Sequence, residues 1–255
     1  MKRVKVALVN VSHSIKNNDP PLGLAYLAAY ARKYGSFSDF VIVDAEEPLV
    51  VLRKEKPDIV GMGPITGQYI EANLLAGRIK SEMGTPILIG GHHISALPQH
   101  LSSSHFDIAV IGEGERTVLE LLQAFQSKWR FEESDLEKIN GIVFKTGEGK
   151  CRTTHPRDLI RNLDEIPFPA RDLLSMKRSY ITLRRSEFGE PGVYTHMMTS
   201  RGCPYKCVFC MPTHFWGRPR FHSPEYVVAE MKHLKESYGV EGILIFDDLF
   251  LANVS

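Results

Sequence analysis

The stretch that decides the fold is "VKVALVNVSHSIKNNDPPLGLAYLAAYARKY", residues 4–34. Residues 4–11 are almost continuously apolar and predict a β-strand, a polar loop with two prolines follows, and residues 22–34 predict a helix. A strand that is apolar on both faces and leads into a helix is typical of a parallel sheet with helices on both sides. The sequence therefore opens as an α/β protein.

The same strand-and-helix unit recurs as far as about residue 128. Further strands are predicted at residues 40–45, 58–65, 86–92 and 106–111. Between the strands we expect helices at residues 68–83 and 115–128, a short turn at 49–55 and a brief segment at 97–102. Five such units predict a flavodoxin-like doubly wound parallel sheet, which binds its ligand at the carboxyl ends of the strands.

The bulk composition excludes several classes of protein. The 255 residues include 31 basic and 30 acidic side chains and are 43% hydrophobic, as expected for a globular protein. A net charge of +1 predicts no nucleic-acid partner, and the longest uncharged apolar stretch, residues 22–31, is shorter than the roughly 20 residues that span a membrane. The four cysteines are too unevenly spaced for a disulfide framework, so we expect a cytoplasmic protein without membrane contact.

The loops at the carboxyl ends of the predicted strands are rich in glycine and proline: "SHSIKNNDPPLG", "GPITGQ", "GGHHIS" and "GEGERT". Glycine has no Cβ, so its backbone can approach a ligand closely, and several such loops at one sheet edge predict a broad binding face. Each loop by itself is equally well explained as an ordinary turn. "GEGERT" lacks the last glycine of G-x-G-x-x-G, so a dinucleotide fingerprint is not supported. His92 and His93 are expected to be ordinary histidines without a shared metal, because adjacent strand residues point to opposite faces.

The second half of the chain predicts a hairpin, a connector and the start of another unit. "NGIVFKTGEGKCRTT", residues 140–154, predicts a hairpin that leaves Cys151 at a solvent edge, and "DEIPFPARDLL", residues 164–174, predicts a proline-punctuated connector. "VYTHMMTS", residues 193–200, predicts a strand. Residues 223–239 predict a helix capped by Ser223 and ended by Gly239, and residues 241–250 predict a buried parallel strand. Strand, loop, helix and strand together are the opening βαβ unit of a barrel.

Three of the four cysteines lie on one short loop, "TSRGCPYKCVFC", residues 199–210. Thiolates select zinc or iron–sulfur clusters. A fully ligated 4Fe–4S cluster takes four cysteines, so Cys203, Cys207 and Cys210 leave one iron open to a cofactor or substrate. The alternative is a closed Cys3His zinc site with His214, which follows Cys210 by four residues.

Several segments in order along nearly the whole chain resemble the N-terminal half of radical S-adenosylmethionine (SAM) enzymes that contain a cobalamin-binding domain. They are "DPPLGLAYLAAYAR", "VGMGPITGQ", "ILIGGHHISALP", "FDIAVIGEGERTVLELL", "NLDEIPFPARDLL" and the C-x3-C-x-Φ-C cysteine loop. The resemblance implies a cobalamin-binding-like Rossmannoid domain at 1–130, the hairpin and connector at 131–178, and the N-terminal part of a truncated radical SAM barrel at 179–255.

In that family the cysteines hold a 4Fe–4S cluster whose free iron chelates SAM. Phe209, Asp247 and Asp248 are then candidates for contact with SAM, although a solvated turn also explains the two aspartates. The family splits SAM to a 5′-deoxyadenosyl radical; in some members methylcobalamin delivers a methyl group, and others close rings or rearrange carbon skeletons. The implied partners are a small-molecule substrate and an electron donor such as flavodoxin or ferredoxin.

The resemblance also implies residues that face the corrin ring. They are Asn10, Ser12, His13, Pro64, Thr66, Gly90, Gly91, His92, Gly112, Glu113 and Gly114. Relatives that ligate cobalt through histidine carry D-x-H-x-x-G, but here Val11, His13 and Lys16 stand at the motif's Asp, His and Gly. We therefore expect cobalamin without a histidine ligand.

Two other interpretations stay open at this point. In one, the wound domain binds no cobalamin and serves as a substrate platform; in the other, the chain is a zinc-stabilised interaction module without catalysis. A barrel of this family has about six βα units and this chain shows two. We therefore expect the 255-residue chain to be incomplete and inactive towards SAM by itself.

Overall fold

The residues described in this computed structural model are 2–11, 19–35, 38–174, 182–185, 191–211 and 215–252. Side chains are described for all of these except residues 182–185 and 191. Ser12, His13, Lys16 and His214 therefore lie outside the described residues.

The first half of the chain forms the predicted wound sheet. Five parallel strands lie in the order β2-β1-β3-β4-β5, which is the flavodoxin-like order. Their bounds are β1 Val4–Val9, β2 Ser38–Val43, β3 Ile59–Met62, β4 Ile87–Ile89 and β5 Ile108–Val110. In register, Val6 of β1 pairs with Phe40 on one side and with Ile59 on the other, so β1 is central.

Helices cover both faces of this sheet. They are α1 Leu22–Tyr34, α2 Pro48–Glu55, α3 Tyr69–Met83, α4 His92–Ala96, α5 Glu115–Lys128 and α6 Glu133–Leu136, with 3-10 turns at Thr66–Gln68 and Pro98–Leu101. Val6 and Leu8 of β1 pack in the cluster that contains α1 and α5. Ala7 and Val9 pack in the cluster that contains α2 and α3. The alternation of side chains along one strand thus builds a core on each face.

Two predictions in this half were wrong in detail. Residues 49–55, expected to be a short turn, belong to α2: Pro48 fits the first helical position, and Leu49 and Leu52 are buried one turn apart. The third and fourth strands were also predicted too long. The backbone at Gly91 has φ of +86°, which ends the extended chain, so His92 and His93 begin α4 instead of ending a strand.

The predicted hairpin extends the wound sheet. Strand β6, Ile142–Lys145, pairs antiparallel with β5, and β7, Cys151–Thr153, pairs antiparallel with β6. Within the described residues the sheet therefore has seven strands. Cys151 is exposed at its edge, as predicted.

A second, smaller sheet carries the cysteine loop. Its described strands lie in the order β12-β9-β8, with β8 Thr182–Arg185, β9 Pro191–Met197 and β12 Gly242–Ile245. A two-stranded ribbon follows β9, formed by β10 Ser200–Arg201 and β11 Arg220–Phe221. Helix α7, Pro224–Tyr238, connects this ribbon to β12, which pairs in parallel with β9 and confirms the predicted βαβ unit.

Helix α7 has the predicted ends. The Ser223 side chain accepts a hydrogen bond from the Tyr226 backbone N–H, and Gly239 ends the helix at φ of +67°. Strand β12, predicted to be buried, is only half-buried, because among the described residues it has a neighbouring strand on one side only. Strand β8 was not predicted.

None of the helices in the described parts of the chain has both the length and the apolar character needed to cross a membrane.

Candidate functional site at the junction of the two sheets

The cysteine loop leaves the small sheet at the carboxyl end of β9. Cys203 and Cys210 are half-buried, Cys207 is exposed, and all three are free thiols. The backbone N–H of Cys210 donates to the carbonyl of Cys207 at 3.0 Å, which turns the last part of the loop. The Phe209 side chain is 89% exposed, so it stands beside the thiols on an open surface. The loop therefore presents three accessible sulfur donors.

Asp247 and Asp248, at the end of β12, hold the start of this loop. Asp247 Oδ1 accepts hydrogen bonds from the backbone nitrogens of Thr199 at 2.7 Å and Ser200 at 3.0 Å. Asp248 Oδ2 accepts from the backbone nitrogen of Gly202 at 3.1 Å. Both carboxylates thus fix the backbone that leads to Cys203. Their predicted contact with SAM stays a prediction.

Gly202 is required where it stands. Its φ is +96°, and a Cβ added there would lie 3.2 Å from the carbonyl oxygens of both Gly217 and Arg218. An L-residue would be strained by its backbone and would also collide with fixed backbone atoms. The turn into Cys203 is therefore rigid.

The loops of the wound sheet reach towards the same region. Gly90, Gly91, Gly112 and Gly114 are half-buried at the carboxyl ends of β4 and β5, and Thr66 is exposed after β3. Pro64 is buried. A Cβ added to Gly112 would meet no heavy atom within 4 Å, so the backbone there borders open space. Asn10 lies at the end of β1, where its side chain donates to Asp44 at 3.1 Å.

His92 brings the two halves of the site together. Its ring stacks on Phe215, with ring centroids 4.3 Å apart, and its edge faces Trp216. Burial lowers the pKa of His92, and the negative charge of Asp248 opposes that shift. The loop after β4 therefore contacts the segment that follows the cysteines.

His93, the next residue, lies in different surroundings. Its Nδ1 is 3.2 Å from the Thr66 hydroxyl, its Nε2 is 3.1 Å from Nδ1 of His100, and the Tyr69 ring stacks on it at 4.0 Å. Burial lowers the pKa of His93, as does the neighbouring His100. The two histidines lie at the start of α4 and not on a strand, so the geometric reason given for their having no shared metal was wrong, and that expectation stays a prediction.

A buried set of charges lies beneath the loop after β5. Glu113 accepts from Arg201 at 3.0 Å, from Arg220 at 3.0 Å and from the backbone nitrogen of Ile160 at 2.9 Å. Glu115 accepts from Arg201 at 2.6 Å. Burial raises the pKa of Glu113, but the hydrogen bond from Arg220 and the charges of the two arginines outweigh it and hold that pKa below its usual value. Neither arginine was singled out from the sequence, since each stands in an ordinary polar context there.

Arg171, in the predicted connector, forms a second buried pair. Its guanidinium donates to Glu230 Oε1 at 3.2 Å and to the carbonyl of His196 at 2.6 Å, and both charged side chains are essentially buried. Burial raises the pKa of Glu230, and the charge of Arg171 only partly opposes it. The connector is therefore locked between α7 and β9. The spacing of residues in the connector does not predict the buried ion pair between Arg171 and Glu230.

The cysteine thiols could bind either a zinc ion or an iron–sulfur cluster. Within the described residues, no three or more His, Cys, Asp or Glu side chains are gathered around a point that could hold one metal ion. A mononuclear zinc site draws its sulfurs to about 2.3 Å from a single ion, whereas the cysteines of a 4Fe–4S cluster are spread over a larger core. Three free, accessible thiols on one loop suit a soft metal centre, whether an iron–sulfur cluster or a zinc ion. The glycine edges of the wound sheet suit a flat ligand.

Two family models match the chain. The B12 binding domain matches residues 10–122, and the radical SAM superfamily matches residues 197–254. The first range contains β2 to β5 and α1 to α4, and the second contains the cysteine loop, α7 and β12.

Similar proteins match nearly the whole chain. An uncharacterised methyltransferase of Pyrococcus horikoshii is 35% identical over 271 residues, which cover 99% of this chain and 55% of that protein. The cytidylyl-2-hydroxyethylphosphonate methyltransferase of Streptomyces wedmorensis is 29% identical over 298 residues, covering 96% of this chain and 54% of that protein. The chain thus spans about half the length of these curated relatives.

Two solved structures share the fold. The cobalamin-dependent SAM radical enzyme OxsB superposes with a TM-score of 0.76 at 21% identity, over 99% of this chain and 35% of that one. The radical SAM methyltransferase TsrM of Kitasatospora setae superposes with a TM-score of 0.68 at 19% identity, over 97% of this chain and 48% of that one. A B12-binding wound sheet followed by the strand, cysteine loop and helix of a radical SAM unit places this chain in the family of radical SAM proteins that contain a cobalamin-binding domain.

Proposed function

We propose that the chain binds a 4Fe–4S cluster through Cys203, Cys207 and Cys210, SAM at the iron left without a cysteine, and cobalamin at the carboxyl ends of the wound sheet. The reaction proposed is methyl transfer to an unactivated carbon of a small molecule. The single observation that carries this is the cysteine loop itself, with three free thiols after β9 and with Phe215, five residues beyond Cys210, stacked on His92 of the wound sheet.

The thiols supply three soft anionic ligands once deprotonated, which is one fewer than a closed cluster uses. Asp247, Asp248 and Gly202 fix the backbone before Cys203, so the first ligand is held in place before any cofactor arrives. When bound, the three groups supply an electron, a radical precursor and a methyl donor. Phe209, Asp247 and Asp248 are proposed to line the SAM side of the loop.

Cobalamin is proposed to lie against the glycine edges after β4 and β5. Gly90, Gly91, Gly112 and Gly114 let the backbone come close to a flat ring because no side chain stands between. Asn10, Ser12, His13, Pro64, Thr66, His92 and Glu113 complete the proposed contacts. The aspartate and glycine of D-x-H-x-x-G are missing around His13, so the cobalt is proposed to have no histidine ligand.

The names of the relatives favour methyl transfer as the outcome, since both curated relatives described above are methyltransferases. An electron donor such as a flavodoxin or ferredoxin is proposed as the partner that reduces the cluster.

Anaerobic reconstitution with iron and sulfide tests the metal site. The wild-type chain and Cys151→Ala are expected to retain about four irons and four sulfides, because Cys151 is exposed on the distant hairpin. Cys207→Ala is expected to lose most of both. One equivalent of zinc without sulfide in the wild-type chain would establish the zinc module instead.

Titration with hydroxocobalamin tests the corrin site separately. Saturable binding with a shift of the corrin absorbance bands is expected, and Gly90→Val is expected to weaken it by placing a side chain at the glycine edge, at a position that has no positive φ. Binding of iron and sulfide without any binding of hydroxocobalamin would support a substrate platform in place of the cobalamin domain.

A further inference from the structure

The ion pairs of Glu113 join the two halves of the molecule. Glu113 belongs to the loop after β5 in the wound sheet. Its partners Arg201 and Arg220 lie on β10 and β11, the two strands of the ribbon in the other half. The side chains of Glu113 and Arg201 are each only 4% exposed. Glu113 is shared by Arg201 and Arg220, and Arg201 is shared by Glu113 and Glu115. Withdrawal of Glu113 would take from Arg220 the carboxylate with which it pairs and would leave Arg201 with Glu115. Buried charges depend on such partners, so Glu113 holds the loop after β5 against the ribbon.

Each end of this link lies beside one of the proposed cofactor sites. Glu113 stands between Gly112 and Gly114, which border the proposed corrin site. Arg201 is separated from Cys203 by Gly202 alone. The backbone nitrogen of Gly202 donates to Asp248, so residues 201–203 are tied both to Glu113 and to the end of β12.

Glu113 is better placed for this role than Glu115. Glu115 begins α5, where the helical backbone fixes it, and it meets Arg201 from that fixed position. Glu113 precedes the helix in a loop with glycine on both sides, and it also accepts the backbone N–H of Ile160 from the connector. A ligand pressed against this loop would displace Glu113 first.

We propose that Glu113 is a positioning residue that couples the corrin site to the cysteine loop, so that loading of the cluster changes the affinity for cobalamin. The inference rests on the proposed function. When one side chain sets the relative position of two sites, the affinity of each site for its ligand changes when the other site is occupied. By linkage, the factor by which the cluster changes the affinity for cobalamin equals the factor by which cobalamin changes the affinity for the cluster.

The test uses the whole 255-residue chain and hydroxocobalamin. Its dissociation constant is measured with the cluster-free chain and with the reconstituted chain, and the ratio of the two constants is the readout. For the wild-type chain we expect a ratio about five-fold or more away from one. For Glu113→Gln we expect a ratio close to one, even where both constants change.

The matched control is Glu82→Gln, which also removes a carboxylate paired with an arginine, Arg53, but between α3 and α2. Its ratio should equal that of the wild-type chain. If Glu113→Gln does not fold, Glu113→Asp keeps the charge on a shorter side chain and should bring the ratio part of the way towards one.

A ratio of one in the wild-type chain would overturn the coupling. The coupling would also be overturned if the folded Glu113 variant had the same ratio, different from one, as the wild-type chain. Failure of hydroxocobalamin to bind to any of these chains contradicts the proposed function itself and removes the coupling with it. The two failures are distinguishable because the first requires measurable binding.

Discussion

The carboxylate of Asp247 accepts hydrogen bonds from two successive backbone nitrogens, those of Thr199 and Ser200, at 2.7 and 3.0 Å. Asp247 and Thr199 are 48 positions apart in the sequence. The parallel pairing of β9 and β12 brings the end of β12 next to the start of the cysteine loop. One side chain therefore ties the loop to the strand beside it.

Asp247→Asn should destabilise the cysteine loop more than it destabilises the folded chain as a whole. The amide NH2 replaces Oδ2, which accepts from the Thr199 hydroxyl, and the two backbone hydrogen bonds at Oδ1 lose the help of the negative charge, at a total cost of about 1–3 kcal/mol. We expect lower retention of iron after reconstitution and a modest fall in the thermal unfolding midpoint. The control is Asp39→Asn, which removes an exposed pair with Arg3 far from the loop. Equal iron retention in both variants would contradict the anchoring role.

Gly202→Ala should cost more than an alanine at another glycine with positive φ. Placing an L-residue at φ of +96° costs about 1–2 kcal/mol, and the contact with the carbonyls of Gly217 and Arg218 adds to it. Gly84→Ala is the control, since Gly84 has φ of +65° but open space around its missing Cβ. Urea unfolding of both variants separates backbone strain from collision. Equal losses would show that the close approach at Gly202 is unimportant.

The stability of the chain should fall between pH 7.5 and 5.5 partly because of His222. Burial lowers the pKa of this imidazole to about 4, and the hydrogen bond with Asp164 only partly opposes the shift; Arg201 lowers it further and Asp247 raises it. The unfolded chain, with an imidazole pKa of about 6.5, therefore binds a proton that the folded chain does not.

This difference in bound protons lowers the free energy of unfolding by about 1 kcal/mol at pH 5.5 relative to pH 7.5, and by more as the pH approaches 4. His222→Gln should lack this part of the pH dependence when urea unfolding is measured at both pH values. His233→Gln, on α7, removes another histidine and should keep it. An unchanged pH dependence in His222→Gln would show that this imidazole is not the group that titrates.

Arg171→Met should be among the most damaging changes in the connector. It leaves Glu230 buried without its cation, which costs about 3–5 kcal/mol. Because burial already raises the pKa of Glu230, the carboxyl can take up a proton, so the loss should be smaller at pH 5 than at pH 8.

The double variant Arg171→Met with Glu230→Met removes both charges and should recover most of the stability. Unfolding by urea, measured for the two single variants and the double variant, gives the coupling between the residues. Additive losses would mean that the two side chains do not depend on each other in the folded chain.

Local sequence pattern was enough for most of the helices and strands. The apolar runs, the helix over Leu22–Tyr34 and the caps at Ser223 and Gly239 depend on neighbours within a few residues, and these were found correctly. The eight residues of α2 were missed, because burial of Leu49 and Leu52 against the sheet stabilises a segment whose local pattern resembles a turn. The start of α4 was missed since the sign of φ at Gly91 is not visible in sequence.

The sequence by itself determined which residues can bind soft metals and where a wound sheet presents its glycine loops, since spacing along a chain fixes both. Only the tertiary structure decided that Glu113 lies beneath Arg201 and that Asp247 holds Thr199. These pairs are separated by 88 and 48 residues, and no periodicity records a contact of that range. Charges become partners when two folded halves close over them and exclude water, which makes each pair necessary to the other.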